Sequence, residues 1–364
     1  MTSTHPRTTP RSLARLLTRS LTAGAVSALA LGVMAPANAT EPDARAAITK
    51  IDLSNLDRGD DSAAPYLKGR RVIDDGHATR IGGQHPWLLG TATNGDYVVA
   101  TWGQDGSSVR LVTPGGGNEK FLSLDNDYAV LGSDGSTLVR QKYRYHRGVS
   151  ILTAFDVTTG DKLGRTRVPG YAQPLDAAAG TVLFSKYEKE RTVSWDVSSG
   201  ARSTLTRTIG YQADLTHDRM AAFTKDPYDG GKTRVTSISD PATALWVSTD
   251  EAVTGFSPDA SHMTTDYILA DGPGPSNLRV RTVSGEQTGR YQLGDGYFRS
   301  VFWEDASTVM FDARTQKASG IVRCAHKQCE LASDLGKGDP YSPKAIAPEG
   351  RPGLTALGRP ATTR

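Results

Sequence analysis

The 364-residue chain contains only two cysteines, and its opposite charges nearly cancel over most of its length. Its first 39 residues contain four arginines, Arg7, Arg11, Arg15 and Arg19, and no acidic residue. Without that segment, 38 basic and 39 acidic residues remain. Since a surface of balanced charge has no strong field for nucleic acid or an anionic membrane, we expect neither as a partner.

Long apolar runs are also scarce in this sequence. The run near the N-terminus, Leu21 to Met34, has 14 residues, whereas a membrane-spanning helix needs about 20. It follows the arginines and precedes Ala37-Asn38-Ala39, the small-x-small pattern at which signal peptidases cleave. The sequence therefore predicts a signal peptide at residues 1–39, no membrane anchor, and a secreted, extracellular protein.

Signatures of common hydrolases and phosphate-binding enzymes are missing as well. The chain has no G-x-S-x-G nucleophile turn, no H-E-x-x-H zinc motif and no phosphate-binding loop. These absences favour a non-catalytic function, and an enzyme is kept as the alternative.

What the chain does contain is a repeat. Phe155-Asp-Val-Thr-Thr-Gly160 is followed by Trp195-Asp-Val-Ser-Ser-Gly200, and similar turn signals recur in both directions. Their markers are Gly116, Gly160, Gly200, Pro241, Gly285 and Lys327, at intervals of 44, 40, 41, 44 and 42 residues. About twenty residues before each marker, a segment rich in β-branched and aromatic residues follows a turn signal and reads as a strand.

The length of the repeat predicts the architecture. Units of about 42 residues with four strands and no helical periodicity are typical of β-propeller blades. A single blade cannot bury both of its faces, so neighbouring blades must stack around an axis. In the repeated phrase, we expect Asp156 and Asp196 to accept backbone hydrogen bonds, and Gly160 and Gly200 to adopt the left-handed conformation that closes a hairpin.

The number of blades depends on the two ends of the chain. A further hairpin is predicted at residues 71–81, and weak strand candidates lie at 343–347 and 354–357. We predict an all-β propeller of seven four-stranded blades, the last one closed by N- and C-terminal segments, with six blades as the alternative. The expected boundaries are a partly disordered linker at 40–65, the propeller at 66–347 and a flexible tail at 348–364.

One unit resembles a known repeat. Phe256-Ser-Pro-Asp-Ala260, followed by His262 and Met263, resembles the phrase of the WD40-like propeller repeats of the TolB family, with alanine in place of its glycine. Residues 66–340 are similar to secreted bacterial WD40-like propeller proteins of uncharacterised function. The resemblance implies a fold and says little about chemistry, because propellers carry out binding, scaffolding and catalysis alike.

The two cysteines, Cys324 and Cys329, lie on opposite sides of a predicted hairpin. In an exported protein such a pair is typical of a disulfide. A metal site that includes His326 is the alternative, but it needs a fourth ligand and reduced thiols.

Five polar residues at predicted inner turns are the candidates for an active site at one mouth of the central channel. They are His217, Asp218, Asp259, His262 and Glu304. Under the enzyme hypothesis, a glycan lyase or hydrolase, they would converge. Otherwise they are polar turn residues that make local hydrogen bonds.

A polar stretch is the candidate recognition loop because it is too hydrophilic for a core strand. Its residues are Lys142, Tyr143, Arg144, Tyr145, His146 and Arg147. Acidic loops at 57–61 and 125–127 keep calcium binding as an alternative, although neither matches the twelve-residue calcium loop. We otherwise expect no metal and no cofactor.

Taken together, these features predict a secreted, monomeric, non-catalytic propeller. Its expected partner is an extracellular protein, a peptide or a cell-wall component. The alternative is an extracellular glycan lyase or hydrolase with its site at a channel mouth.

Overall fold

The computed structural model describes residues 47–104, 106–125, 127–270 and 272–338. Over these ranges the chain forms 29 strands and three short 3₁₀ turns, arranged as a seven-bladed β-propeller. Among the described residues, no helix is long and apolar enough to cross a membrane. The predicted signal peptide at 1–39, the strand candidates at 343–347 and 354–357 and the tail at 348–364 lie outside the described residues.

The blades follow one another along the chain, after a first short strand, β1 (Thr49–Ile51). Blade 1 consists of β2 (Tyr66–Leu67), β3 (Arg71–Asp74) and β4 (His77–Arg80). Blade 2 consists of β5 (Trp87–Thr91), β6 (Tyr97–Thr101), β7 (Ser108–Val112) and β8 (Asn118–Ser123). Blade 3 consists of β9 (Tyr128–Leu131), β10 (Thr137–Arg144), β11 (Val149–Asp156) and β12 (Lys162–Pro169).

Blades 4 to 7 continue the same antiparallel pattern. Blade 4 consists of β13 (Ala172–Ala178), β14 (Thr181–Lys186), β15 (Arg191–Asp196) and β16 (Arg202–Thr206). Blade 5 consists of β17 (Ile209–Asp214), β18 (Arg219–Phe223), β19 (Thr233–Thr236) and β20 (Ala244–Ser248). Blade 6 consists of β21 (Glu251–Phe256), β22 (His262–Tyr267), β23 (Asn277–Thr282) and β24 (Gln287–Leu293). Blade 7 consists of β25 (Gly296–Trp303), β26 (Thr308–Thr315), β27 (Ala318–Ala325) and β28 (Gln328–Leu331), with β29 (Gly336–Lys337) paired to β27.

The first strand of each blade lies nearest the axis. From β2 to β25, each of these strands contacts the first strand of the next blade along the chain. The position explains their composition: all seven residues of β13 are buried, whereas β12 at the rim of blade 3 is mostly exposed. The prediction of seven blades rather than six is confirmed.

The repeated phrase closes a hairpin in blade 3 and another in blade 4, as expected. Asp156 Oδ1 accepts hydrogen bonds from the backbone N–H groups of Thr158 and Thr159, both at 2.8 Å. The glycine that ends this turn, Gly160, has φ +77°, and Gly200 has φ +74° in the corresponding turn of blade 4. The phrase therefore recurs because each outer hairpin needs the same local hydrogen bonds and the same left-handed residue.

The N-terminal segment closes the ring along the outer edges of two blades. Strand β1 pairs in parallel with β24 of blade 6. The chain then forms a bridge from Arg58 to Leu331 of blade 7, and the Ser62 N–H donates to the Ala332 carbonyl at 3.2 Å. The sequence predicts a linker at residues 40–65 and no strand there. The structure shows that part of this segment, β1, is a strand.

The disulfide predicted between Cys324 and Cys329 is present. The two residues are direct partners in the β27–β28 register, which brings their side chains together at the end of blade 7. Blade 7 also contacts the N-terminal segment, so the disulfide holds a hairpin next to the ring closure.

Removal of this disulfide should lower the free energy of unfolding by about 2 kcal/mol, because the closed loop is short and the gain from constraining the unfolded chain is modest. The measurement is denaturant unfolding of the Cys324→Ala/Cys329→Ala variant against the oxidised wild type. Reduced wild type is the control, and it should behave like the variant. Equal stability of the oxidised wild type and the variant would contradict the prediction.

Candidate binding site

The two faces of the ring differ in their connections. One face carries the turns between the first and second strands and between the third and fourth strands of each blade. We call it the turn face. The other carries the loops between the second and third strands and the connections between blades, and we call it the loop face.

The candidates His217 and Asp218 lie on the turn face, between β17 and β18. The His217 backbone N–H donates to Asp214 Oδ1 at 2.9 Å, and its Nδ1 lies 3.0 Å from Oδ2 of the same carboxylate. Asp218 accepts from the N–H and hydroxyl of Ser239 at 2.7 and 2.6 Å. Both residues therefore form hydrogen bonds with other residues of blade 5.

Asp259 and His262 lie in the corresponding turn of blade 6. Asp259 Oδ1 accepts from the Ser257 hydroxyl at 2.7 Å and from the Ser261 N–H and hydroxyl at 3.0 and 2.8 Å. Slight burial acts to raise the pKa of Asp259, but these hydrogen bonds outweigh it and lower the pKa to about 2. His262 Nδ1 lies 2.9 Å from the Ser261 hydroxyl, so this histidine also has a local partner.

The fifth candidate, Glu304, forms part of the ring closure. Its carboxylate accepts two hydrogen bonds from Arg323, at 2.6 and 2.7 Å, and one from the Ala63 N–H at 2.7 Å. Burial opposes ionisation here, but the Arg323 and Ala63 contacts lower the pKa of Glu304 below its ordinary value.

None of the hydrogen bonds described for the five candidates joins two of them, and each candidate is bonded to other residues of its own blade or of the ring closure. In the described part of the chain, no group of three or more His, Cys, Asp or Glu side chains could hold a metal ion. Of the acidic loops considered for calcium, Asp125 and Asp127 both face Lys142 Nζ, at 3.8 and 3.6 Å. Asp61 is paired with Arg58.

Sequence reasoning missed a buried carboxylate on the turn face, Asp176 of β13. Its Oδ1 accepts the N–H groups of Ser133 and Ala177 at 2.7 and 2.8 Å, and its Oδ2 accepts the Leu215 N–H at 2.5 Å. The Ser133 hydroxyl also lies 2.8 Å from that of Thr216. These contacts connect blades 3, 4 and 5 close to the axis. Burial raises the pKa of Asp176 to about 6, although the hydrogen bonds from Leu215 and Ser133 act in the opposite direction.

On the loop face, four tyrosines from blades 3 and 4 form a continuous row that we call the tyrosine ladder: Tyr143, Tyr145, Tyr171 and Tyr187. Tyr143 makes edge-to-face contacts with Tyr145 and Tyr171, with ring centroids 4.7 and 5.5 Å apart. Tyr187 follows at 6.1 Å from Tyr171. Tyr145 is 74% exposed at one end of the row, the largest exposed fraction among the big apolar side chains described.

Backbone and hydroxyl contacts hold the ladder in place. The Gly170 N–H donates to the Gly148 carbonyl at 2.7 Å, which joins the β10–β11 loop to the connection between blades 3 and 4. The Ser150 hydroxyl donates to the Gly170 carbonyl at 3.0 Å and accepts the Ala172 N–H at 2.8 Å. These hydrogen bonds fix the backbone that carries the tyrosines.

Two further contacts join the blade 4 loop to the same surface. Glu188 Oε1 accepts the Tyr171 N–H at 3.1 Å, and the Tyr187 hydroxyl donates to Gln173 Oε1 at 2.9 Å. Burial, together with the neighbouring Tyr145 hydroxyl, raises the pKa of Tyr171. The Tyr171 hydroxyl therefore stays protonated at neutral pH and can act as a hydrogen-bond donor.

Charged side chains lie beside the ladder, and those of blade 3 are mainly basic. In the blade 3 loop, Arg144 and Arg147 are exposed, and Lys142 is held between Asp125 and Asp127. In the blade 4 loop the exposed basic residue is Lys189. The polar stretch at 142–147 thus lies at the surface, next to aromatic rings.

The two loops have the same construction. Tyr145–Arg147 and Tyr187–Lys189 each form a single 3₁₀ turn that ends in a left-handed residue, Gly148 or Glu190. The sequence contains a signal for this similarity: Arg144-Tyr-His-Arg and Lys186-Tyr-Glu-Lys recur 42 residues apart with the same basic–Tyr–x–basic order. Reading that repeat would have identified Tyr187, whereas Tyr171 carries no such local signal.

Exposed tyrosines continue around the loop face. Tyr228, in the β18–β19 loop of blade 5, is 69% exposed, and Tyr267, at the end of β22 in blade 6, is 53% exposed. Exposed rings are therefore a shared feature of the loops between second and third strands in blades 3, 5 and 6.

Comparison with known proteins identifies the fold. No protein-family model matches the chain, and no curated protein matches it. Among solved structures, the β-propeller domain of the Trilobed protease from Pyrococcus furiosus aligns with a TM-score of 0.53 and 11% identity, over 78% of this chain and 98% of that one.

Two other solved structures also align with this chain. Acylaminoacyl peptidase from Pyrococcus horikoshii aligns with a TM-score of 0.51 and 11% identity, over 72% of this chain but only 47% of the peptidase. TolB from Acinetobacter baumannii aligns with a TM-score of 0.41 and 14% identity, over 64% of this chain and 61% of TolB. Identities this low show a shared fold alone, so this chain is a seven-bladed β-propeller similar in architecture to the propeller domains of proteases.

Proposed function

We propose that this chain is an exported, non-catalytic binding module whose loop face binds an extracellular protein or peptide. The observation that carries the proposal is the tyrosine ladder of blades 3 and 4, a row of rings that begins at the exposed Tyr145. Most large apolar side chains of a propeller pack between blades, whereas this row continues from the interior out to the surface.

The composition of the ladder suits a protein partner. Tyrosine and arginine are enriched at the energetic centres of protein interfaces, because each combines a large contact area with directional hydrogen bonding. Arg144 and Arg147 flank Tyr145 and make the blade 3 part of this surface basic, whereas Lys189 in blade 4 lies between Glu188 and Glu190. A partner with an apolar or aromatic centre and acidic residues around it would complement this surface.

The rigidity of the loops supports tight binding. Binding costs free energy when side chains and loops must be ordered. Here the Gly148–Gly170 and Glu188–Tyr171 hydrogen bonds already hold both loops, so little further ordering is required.

Export is part of the proposal. The signal-like N-terminal sequence supports it, and so does the Cys324–Cys329 disulfide, because disulfides persist mainly in oxidising compartments. The enzyme alternative is less well supported, since no hydrogen bond described for the five turn-face candidates joins two of them.

Replacing Tyr145 with alanine should weaken partner binding at least tenfold, because a central aromatic at an interface commonly contributes about 2 kcal/mol or more. Since Tyr145 is exposed, the same change should alter the free energy of unfolding by no more than about 0.5 kcal/mol. The matched control is Leu163→Ala on β12, which removes a 45% exposed apolar side chain at the rim of blade 3.

A photo-crosslinking phenylalanine derivative, which keeps an aromatic ring, at position 145 or 163 of the mature chain can identify the partner directly. Mixed with the extracellular proteins of the producing cells, the position-145 probe should form a defined protein adduct that Tyr171→Ala suppresses, and the position-163 probe should not. Binding to purified cell wall that Tyr145→Ala leaves unchanged, without any protein adduct at 145, would contradict the proposal.

A further inference from the structure

A groove of about 650 Å³ lies between blade 1 and the end of blade 7. Along β3 and β4, Val72 and Thr79 are buried, and Val72 packs against blade 2. Because side chains alternate along a strand, Arg71 and Arg80 point to the opposite face, which lines the groove. The groove is therefore open on the one face of blade 1 that no neighbouring blade covers completely.

Four cations line this groove, and none of them forms an ion pair with an acidic side chain of the described residues. They are Lys68, Arg70, Arg71 and Arg80, all exposed and all from blade 1 or its turns. The acidic side chains of the lining, Asp61 and Asp334, both pair with Arg58 on the opposite wall. Within the described residues, no ion pair reaches any of the four, although acidic and basic residues are nearly equal in number beyond the N-terminal segment.

The placement of Arg71 and Arg80 is unfavourable for the protein alone. The two residues are direct partners in the β3–β4 register, so their guanidinium groups extend side by side from the same face. Like charges directly opposite each other on a sheet are destabilising. A short hairpin that carries this pair, with Arg70 and Lys68 beside it, is stabilised when a negatively charged ligand lies between the cations.

We propose that this groove binds a polymer of repeating phosphate groups, with the four cations contacting successive phosphates. Guanidinium groups bind phosphate oxygens in a bidentate manner, and a lysine ammonium binds phosphate as a point charge. A single small anion would leave most of the positive charge uncompensated, whereas the volume of the groove accommodates several groups in a row. This site lies on blades 1 and 7 and uses none of the tyrosine ladder, so it goes beyond the proposed function.

Binding of long-chain inorganic polyphosphate to the full mature chain tests the proposal. The wild type should bind with an affinity that decreases as salt increases, because binding displaces counterions. Arg71→Gln/Arg80→Gln should reduce the affinity at least tenfold and make the salt dependence less steep. The control variant Arg165→Gln/Arg207→Gln removes the same charge from exposed positions in blade 3 and after blade 4, and should bind like the wild type.

Thermal melting, first without and then with polyphosphate, supplies a second readout. Without polyphosphate, Arg71→Gln/Arg80→Gln should melt at the same temperature as the wild type or higher, since the change removes like-charge repulsion. Polyphosphate should then raise the melting temperature of the wild type but not of this variant. The proposal is overturned if the wild type does not bind polyphosphate, if the groove variant binds equally well, or if poly-L-glutamate of matched length binds as tightly.

Discussion

Glu251→Ala should lower the free energy of unfolding by about 3 to 5 kcal/mol, the usual consequence of removing one partner from a buried ion pair. Glu251 begins β21 and is only 6% exposed. Its carboxylate accepts from Arg281 Nε at 2.9 Å and from the second Arg281 nitrogen at 2.7 Å. The Thr265 hydroxyl donates a further bond at 2.5 Å, and Arg279 lies at 3.5 Å.

The large effect arises from what the substitution leaves behind. Arg281 is itself only 6% exposed, lies over the Trp246 ring at 5.6 Å and donates to the Gly285 carbonyl at 2.7 Å, so it cannot easily turn towards water. Without Glu251, this guanidinium would be a buried charge with most of its hydrogen bonds unmade.

Chemical denaturation of Glu251→Ala against Glu286→Ala measures the effect. Glu286 is an exposed glutamate near the same blade edge, and its removal should cost less than about 0.5 kcal/mol. A loss below about 1 kcal/mol for Glu251→Ala would mean that Arg281 finds another partner.

The same pair makes stability depend on pH in a defined direction. Burial alone would raise the pKa of Glu251, but the Arg281 and Thr265 hydrogen bonds and the two arginine charges lower it below the ordinary value of 4.5. The stabilisation from this carboxylate is therefore complete above about pH 4.5 and is lost as the pH falls towards the lower folded-state pKa. Glu251→Ala should lack this part of the acid sensitivity.

Asp176→Ala should also be strongly destabilising, by about 2 to 4 kcal/mol, because three backbone N–H groups lose their acceptor at once. Those groups belong to Ser133, Ala177 and Leu215, in three consecutive blades. Asp176→Asn keeps the volume but places an NH₂ group against N–H donors, so it should lose a large part of the same free energy. Asp240→Asn, at an exposed turn of blade 5, is the matched control and should be neutral.

The pH dependence of Asp176 runs opposite to that of Glu251. Burial raises the folded-state pKa of Asp176 from 3.8 to about 6, so between these values the folded protein binds more protons than the unfolded chain. Its contribution to stability is therefore greatest below about pH 4 and declines, by roughly 3 kcal/mol, as the pH rises through 6. The stability advantage of the wild type over Asp176→Asn should shrink across this window. A constant difference from pH 4 to 7 would show that Asp176 is already ionised throughout.

The spacing of the repeats made the propeller predictable, because every blade needs hairpin turns closed by similar residues at similar intervals. The Asp156–Gly160 turn and the corresponding turn of blade 4 require particular residues at fixed offsets, whatever the rest of the chain does. The disulfide between Cys324 and Cys329 was also predictable from local sequence. The two residues are only five positions apart, and the hairpin register places them opposite each other.

The candidate sites were less predictable. The polarity of the stretch at 142–147 identifies it in the sequence. The structure places it next to Tyr171 and Tyr187, which are separated from it along the chain by two and four strands. The hydrogen-bond partners of the five turn-face residues could not be read from the sequence either. His217, Asp218, Asp259 and His262 have partners within their own blades, whereas Glu304 binds Arg323 and the distant Ala63 N–H.

The sequence by itself determined the unit of this protein: a four-stranded blade repeated about every 42 residues, with hairpins closed by aspartate and glycine and one hairpin linked by cysteines. Tertiary structure alone decided how side chains from different units meet. It set Asp176 among the N–H groups of three blades, paired Glu251 with Arg281, aligned the tyrosine ladder and left four cations along the blade 1 groove. The physical reason is range: turn chemistry and strand alternation act over a few residues, whereas these contacts exist only after the ring has brought distant segments within a few ångströms.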